Sequence, residues 1–193
     1  MFSALLDTSV LWPSLQRDFL LSLAIEGLYR PLWSDAILEE LEFHEAEKLV
    51  GRGTSRAEAS EKAARLVEQM RIAFDDAIVA GWEPLEGTYG LPDADDEHVV
   101  AAAVIGGAGA IVTENLRDFP SSDVPSHVDV QTARAFAANT VSVDPDRAAH
   151  ALREIAGRHR NPTHTPLQLL DILVTRYGMT DVDELLRPLL ASS

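Results

Sequence analysis

Over the first two thirds of the chain, short apolar runs alternate with amphipathic stretches; over the last third, amphipathic stretches stand alone. The run Phe2 to Leu6 is too short for a helix and reads as a buried strand ending at Asp7. Pro13 and Ser14 open a helix carrying Leu15, Phe19, Leu20, Leu23 and Ala24 on its inner side, and Gly27 closes it. Leu28 to Trp33 predicts a second strand, kept short or irregular by Pro31. Ser34 is a good N-cap with Asp35 in the first turn, so a helix starts there. Gly51 to Thr54 breaks the pattern, Ser55 to about Phe74 predicts another helix, and Ala77 to Trp82 a third strand. Asp93 or Asp95 then caps a helix through Ile105, and three nearby glycines turn the chain into the strand Ala110 to Thr113. Val128 to Val130 and a polar helix near Thr132 to Ala138 complete this region.

Strands alternating with helices predict an α/β fold, a three-layer α/β/α sandwich around a mainly parallel sheet, spanning residues 1–139. In such sheets, sites gather at the carboxyl ends of the strands. Beyond Asn139 the pattern is helical only. Asp144-Pro145 opens one helix to about His159, Thr165-Pro166 a second to Tyr177, and a third runs from Asp181 to Leu190. Residues 140–193 are therefore expected to be a C-terminal helical extension.

Composition narrows the setting. With 193 residues, 46% of them hydrophobic, the chain has ample material for a core. No run approaches the roughly 20 apolar residues of a membrane span. The first residues lack the basic region of a secretion signal, and there are no cysteines. The expectation is a cytoplasmic protein with no membrane partner. The net charge of −15 is uneven: residues 1–140 hold 24 Asp/Glu against 10 Lys/Arg, and residues 141–193 hold 7 against 6. Such acidity repels nucleic acid at long range unless bound cations neutralise part of it.

Four carboxylates stand at the ends of separate elements. Asp7 ends the first strand, Glu40 lies in the helix after Ser34, Asp96 opens the next helix, and Asp118 follows the strand 110–113. Of the acids at 39–47, Glu40 falls at the edge of the apolar arc set by Ile37, Leu38 and Leu41, with Glu39 as the alternative. Asp93, Asp95, Asp96 and Glu97 crowd one helix start, more acid than capping and the helix dipole require. Asp96 projects near the buried face, and Asp93 caps or supports. Asn115 offers a neutral oxygen, while Ser9 and Thr113 offer hydroxyls to orient waters or carboxylates. Acids brought together repel one another unless a cation sits between them, which points to a divalent metal and phosphate-ester chemistry. For substrate contacts, Arg117 and the tail cations Arg158 and Arg160 are weaker candidates, since basic residues also suit a helix C-terminus.

Across residues 3–136 the chain resembles the PIN-domain ribonucleases, and within them the VapC-type toxins of bacterial toxin–antitoxin pairs. The resemblance rests on Leu5-Leu6-Asp7-Thr8-Ser9-Val10-Leu11, on Ser34 with Glu40-Leu41, on Pro92 through Ala103, and on Ile111 through Pro120, in that order and spacing. It implies that Asp7, Glu40, Asp96 and Asp118 hold Mg²⁺ or Mn²⁺ and carry catalysis. Many PIN domains place an acid where this chain has Asn115, so the fourth position lies between Asn115 and Asp118. The resemblance further implies RNA as substrate, a cognate antitoxin protein and a homodimer. A PIN fold that has lost catalysis and serves as a protein-interaction module is the alternative. An aspartyl phosphatase or receiver domain fits poorly: position 9 is Ser, and the two lysines, Lys48 and Lys62, lie in helical segments.

Overall fold

The computed structural model describes residues 1–158 and 162–191. In chain order the elements are β1 (Ser3–Leu6), α1 (Thr8–Leu11), α2 (Ser14–Ile25), β2 (Arg30–Leu32), α3 (Asp35–Gly51), α4 (Arg56–Ala73), α5 (Glu97–Ile105), β3 (Ala110–Val112), β4 (Asp129–Gln131), α6 (Ala133–Val143), α7 (Pro145–Arg158), α8 (Pro166–Tyr177) and α9 (Thr180–Ala191). The four strands form one parallel sheet in the order β2-β1-β3-β4. The expected α/β fold with added C-terminal helices is what the chain adopts.

Two compact units are present. Residues 3–12 and 31–130 form one, and residues 1–2, 13–30 and the described residues from 131 on form the other. In the first, α5 packs on β1 and β3. Val99, Val100, Ala101, Ala102 and Ala103 are all fully buried, as expected of a helix apolar on every side. Gly106 follows it because nothing larger fits: a Cβ there would lie 2.8 Å from Val79 Cγ2 and 3.0 Å from both the Ala102 carbonyl oxygen and Leu32 Cδ1. In the second unit, α2 packs against α7. Tyr29 is buried there with its ring edge-on to Phe136 at 4.8 Å, and its hydroxyl donates to the Leu20 carbonyl at 3.0 Å. Thr165 and Gln168 form a reciprocal capping box at the start of α8, and Gly178, at φ +66°, ends it in the left-handed conformation.

One expected strand is absent. Residues 77–82 make only a single parallel bridge, Trp33 with Ile78. The Val79 amide donates to the Trp33 carbonyl at 2.9 Å, but Gly81 then turns the chain at φ +77° and the ladder cannot extend. The polar helix expected at 132–138 runs on to Val143.

Strand order positions the site. From β1 the chain adds β2 on one side and then crosses to lay β3 on the other, so the β1–β3 boundary is the switch point of the sheet. Crevices open at the carboxyl ends of strands at such points. Ala4, Leu5 and Leu6 pair in register with Ala110, Ile111 and Val112, which sets Asp7 and Thr113 side by side at that edge.

Candidate active site

Asp7 is the best-anchored carboxylate of this edge. Its amide donates to the Val112 carbonyl at 3.0 Å, and its own carbonyl receives the Val10 and Leu11 amides, so it both ends β1 and caps α1. The side chain is 5% exposed. Oδ2 accepts from Ser9 Oγ at 2.6 Å and from Thr113 Oγ1 at 2.7 Å. Those hydroxyls also receive backbone amides, Glu114 N on Ser9 Oγ and Asn115 N on Thr113 Oγ1, each at 3.0 Å. Ser9 and Thr113 therefore orient the acid and tie the loop after β3 to it.

Glu40 comes from α3, which starts where Ser34 Oγ accepts the Ile37 amide at 3.2 Å. Its Oε2 accepts from Thr8 Oγ1 at 2.8 Å, and its Oε1 lies 3.2 Å from His98 Nε2. Burial alone would raise the Glu40 pKa, but the His98 and Thr8 hydrogen bonds and nearby His98 and His44 outweigh it, and the pKa is lowered. His98 shows the reciprocal effect. Burial pushes its pKa down, yet Glu40, Asp7 and Asp96 pull it up on balance. His98 Nδ1 is buried and has no hydrogen-bond partner among the described residues.

Asp96 sits at the junction of a short 3-10 turn, Ala94–Asp96, with α5. Its pKa is pushed up to about 6, by burial first and then by the charges of Asp7, Asp93 and Asp118. The crowd of acids around it divides its duties. Asp93 accepts the Asp95 amide at 3.0 Å and caps the turn. Glu97 faces inward, 3% exposed, and accepts the amides of Tyr89, Gly90 and Leu91 at 3.0, 2.6 and 2.9 Å. That grip fixes the loop before α5 and hence the backbone that presents Asp96.

Asp7, Thr8, Ser9, Trp12, Glu40, His44, Asp96 and Asn115 line one cavity of about 320 Å³. Glu39 lies elsewhere, in a depression shared with Glu42 and Phe43. Asp118 closes a 3-10 turn, its amide donating to the Asn115 carbonyl at 2.9 Å, and is half-buried rather than part of the cavity wall. Arg117, in the same turn, is exposed. Arg158 belongs to the helical unit, where its guanidinium donates to Ser22 Oγ at 2.9 Å. Arg160 lies outside the described residues. A larger depression, about 460 Å³, is walled by Leu116, Phe119, Val124 and Val128 with Asp129 as its one acid, and so does not compete as a carboxylate site.

Thr8, Trp12, His44 and Glu97 are the parts that reading the sequence missed. His44 had a usable signal, four residues after Glu40 on one helix face. Thr8 and Trp12 are placed by α1, a helix too short to announce itself.

The donor set suits a hard divalent cation, which takes carboxylate and water oxygens. The raised pKa of Asp96 comes first from burial and then from the uncompensated charges of Asp7, Asp93 and Asp118, and a cation would relieve the second part. As folded, however, no three acidic or histidine side chains among the described residues lie close enough to hold an ion by themselves. The site fits a metal in charge and chemistry, with waters or substrate oxygens completing the shell.

A family profile described as PIN domain matches residues 3–117. That match takes in Asp7, Glu40, Asp96 and Asn115 and stops one residue short of Asp118. No curated protein and no solved structure matches the chain. The chain belongs to the PIN-domain family, whose members are generally nucleases.

Proposed function

We propose that this PIN domain is a divalent-metal-dependent endoribonuclease that hydrolyses RNA phosphodiesters. The observation that carries the reading is the cavity at the β1–β3 switch point, where Asp7, Glu40 and Asp96 converge with Asn115. In this reading Asp7 and Asp96 anchor Mg²⁺ or Mn²⁺, Glu40 and Asp118 position the cation or its waters, and Asn115 assists. Bound metal supplies charge neutralisation at the phosphorus and lowers the pKa of water. The protein's own part is to aim the oxygens: Ser9 and Thr113 fix Asp7, and Thr8 and His98 hold Glu40 charged. The nuclease domain would be residues 1–139, with 140–193 as a helical extension.

The finer role follows from the same resemblance: the toxin of a VapBC-type pair, cytoplasmic and homodimeric, silenced by a cognate antitoxin. An acidic cavity suits an inserted arginine, whose planar fork pairs with carboxylates. The rival reading, a catalytically silent interaction module, draws support from one observation, the absence of a ready-made three-donor cluster among the described residues.

One experiment separates them. The purified chain is incubated with a mixed RNA pool in Mg²⁺, in Mn²⁺ and in EDTA, beside Asp7→Asn. Cleavage that requires both metal and Asp7 is expected. Equal cleavage by Asp7→Asn, or in EDTA, would overturn the site assignment. No cleavage together with no calorimetric metal binding would establish the interaction module instead.

A further inference from the structure

Of the chain's three tryptophans, Trp82 is partly buried with its ring 5.8 Å from that of His98. Trp33 is fully buried, whereas Trp12 keeps 43% of its surface exposed and lines the carboxylate cavity. It is also held in place. Nε1 donates to the His44 carbonyl at 3.3 Å, and its own carbonyl accepts from Lys48 Nζ at 3.3 Å. The Lys48 ammonium stands over one face of the ring, 5.6 Å from its centroid, and pairs with Glu45, so a stacked base would use the opposite face. Leaving an indole in water forgoes burial of a large apolar surface. Fixing it by hydrogen bonds at both ends of the residue makes it a preset surface rather than a loose side chain.

We propose that Trp12 is a stacking platform for the nucleobase of an unpaired nucleotide next to the scissile phosphate. The inference rests on the nuclease reading and adds to it the residue that grips the base beside the cut. Two further observations support it. The residues lining the cavity include three acids and no Lys or Arg, the ammonium beside the ring, Lys48, is paired with Glu45, and the chain carries a net charge of −15. Phosphate contacts, the usual source of RNA affinity, are therefore poor here. Stacking needs no countercharge and works on any base face, so it can supply the grip that charge withholds. The cavity, about 320 Å³, is at the lower end of the roughly 300–1,000 Å³ of small-molecule sites and has room for one base. With the indole N–H already committed to His44, the ring reads no hydrogen-bonding edge. Little base preference is expected at that position, and a strong preference for unpaired RNA.

The test measures binding of short single-stranded RNAs by fluorescence anisotropy in Mg²⁺, using the full chain with Asp7→Asn to prevent cutting. Trp12→Ala is expected to weaken binding about 5- to 100-fold, and Trp12→Phe to keep most of it. A set of RNAs with one abasic position moved along the strand supplies the decisive comparison. One abasic position should cost the Asp7→Asn chain the same factor that Trp12→Ala costs, and should cost nothing more once Trp12 is gone. Unchanged binding by Trp12→Ala overturns the proposal and leaves the ring to a protein partner. Equal weakening of abasic and intact RNAs at every position also overturns it, because the ring would then be shaping the cavity. If wild type cuts no RNA and the Asp7→Asn chain binds none, the nuclease reading falls and this proposal with it.

Discussion

The carboxylate cavity of one unit and the helical unit formed by α2 and α6–α9 handle charge in opposite ways. In the helical unit, the Arg187 guanidinium bonds to Asp183 and Asp171, Arg147 pairs with Asp144, and Arg158 donates to Ser22. Around the cavity, Asp7 is held by two neutral hydroxyls, and Asp96 faces other acids that help push its pKa to about 6. Matched charges steady a surface; mismatched ones weaken the fold locally and persist where something else is to be bound. The difference marks which acids are structural and which belong to a site.

The largest break in that comparison is expected from Asp7→Asn. Asn retains an oxygen to accept from Ser9 and Thr113, so the fold should survive with little change in melting temperature. The lost charge is the one a cation needs most. Metal-dependent RNA cleavage should fall on the order of a thousandfold, the several kcal/mol a bound metal contributes. Initial rates on a common RNA substrate check this. A variant within tenfold of wild type would remove Asp7 from the centre of the site.

Thr113→Val is expected to act through Asp7. It keeps the buried shape and deletes the hydroxyl that donates at 2.7 Å and receives the Asn115 amide. Loss of a group that orients a metal ligand typically costs 10- to 100-fold in affinity or activity. Calorimetric titration with Mn²⁺ should show weaker binding, and Ser9→Ala a smaller loss of the same kind. Unchanged metal affinity would make Thr113 a loop fastener only.

How far such residues could be foreseen depends on the range of the interaction that places them. The Ser34 cap, the Asp144-Pro145 start and the glycine at 178 act within a few residues, and each helix forms where these signals stand. Residues 77–82 have a strand's composition, but pairing depends on a distant partner, and only Ile78 found one. At the helix start, spacing pointed to Asp96 as the site acid and to Asp93 as a cap, but gave Glu97 no task. In the structure Asp96 lines the cavity and Asp93 takes the Asp95 amide, while Glu97 turns inward onto three amides of a loop that local spacing does not place beside it. Thr8 and His98 gained their roles from an acid on another helix, which no local pattern encodes.

The burial of Asp96 among other acids has a pH signature. Its folded pKa of about 6 exceeds the ordinary 3.8, so the charged form is disfavoured by folding. The destabilisation is absent below the unfolded value, grows as pH rises through about 4 to 6, and is complete above. In EDTA, Asp96→Asn should therefore raise the melting temperature at neutral pH, with the gain fading toward pH 4. In wild type, protons compete with the cation, so metal binding should weaken as pH falls below about 6. A destabilised Asp96→Asn at neutral pH would mean that this carboxylate is structural after all.

Arg187→Ala should produce the smallest effect and the cleanest contrast. The guanidinium is partly exposed and bridges Asp183, one turn before it in α9, to Asp171 in α8. Exposed pairs of this kind contribute little because solvent screens them, although a shared arginine between two acids does better than an isolated pair. Removing it leaves Asp171 and Asp183 facing each other without countercharge, which recreates in the helical unit the mismatch found at the cavity. The expected result is a slightly lower melting temperature, more evident at low salt, and unchanged cleavage. Arg187→Ala with Asp183→Asn should recover part of the loss, since one of the two opposed charges is then gone. If the single variant slowed cleavage without moving the melting temperature, the charges of the helical unit would have a part in the reaction, and the division between structural and site acids would have to be redrawn.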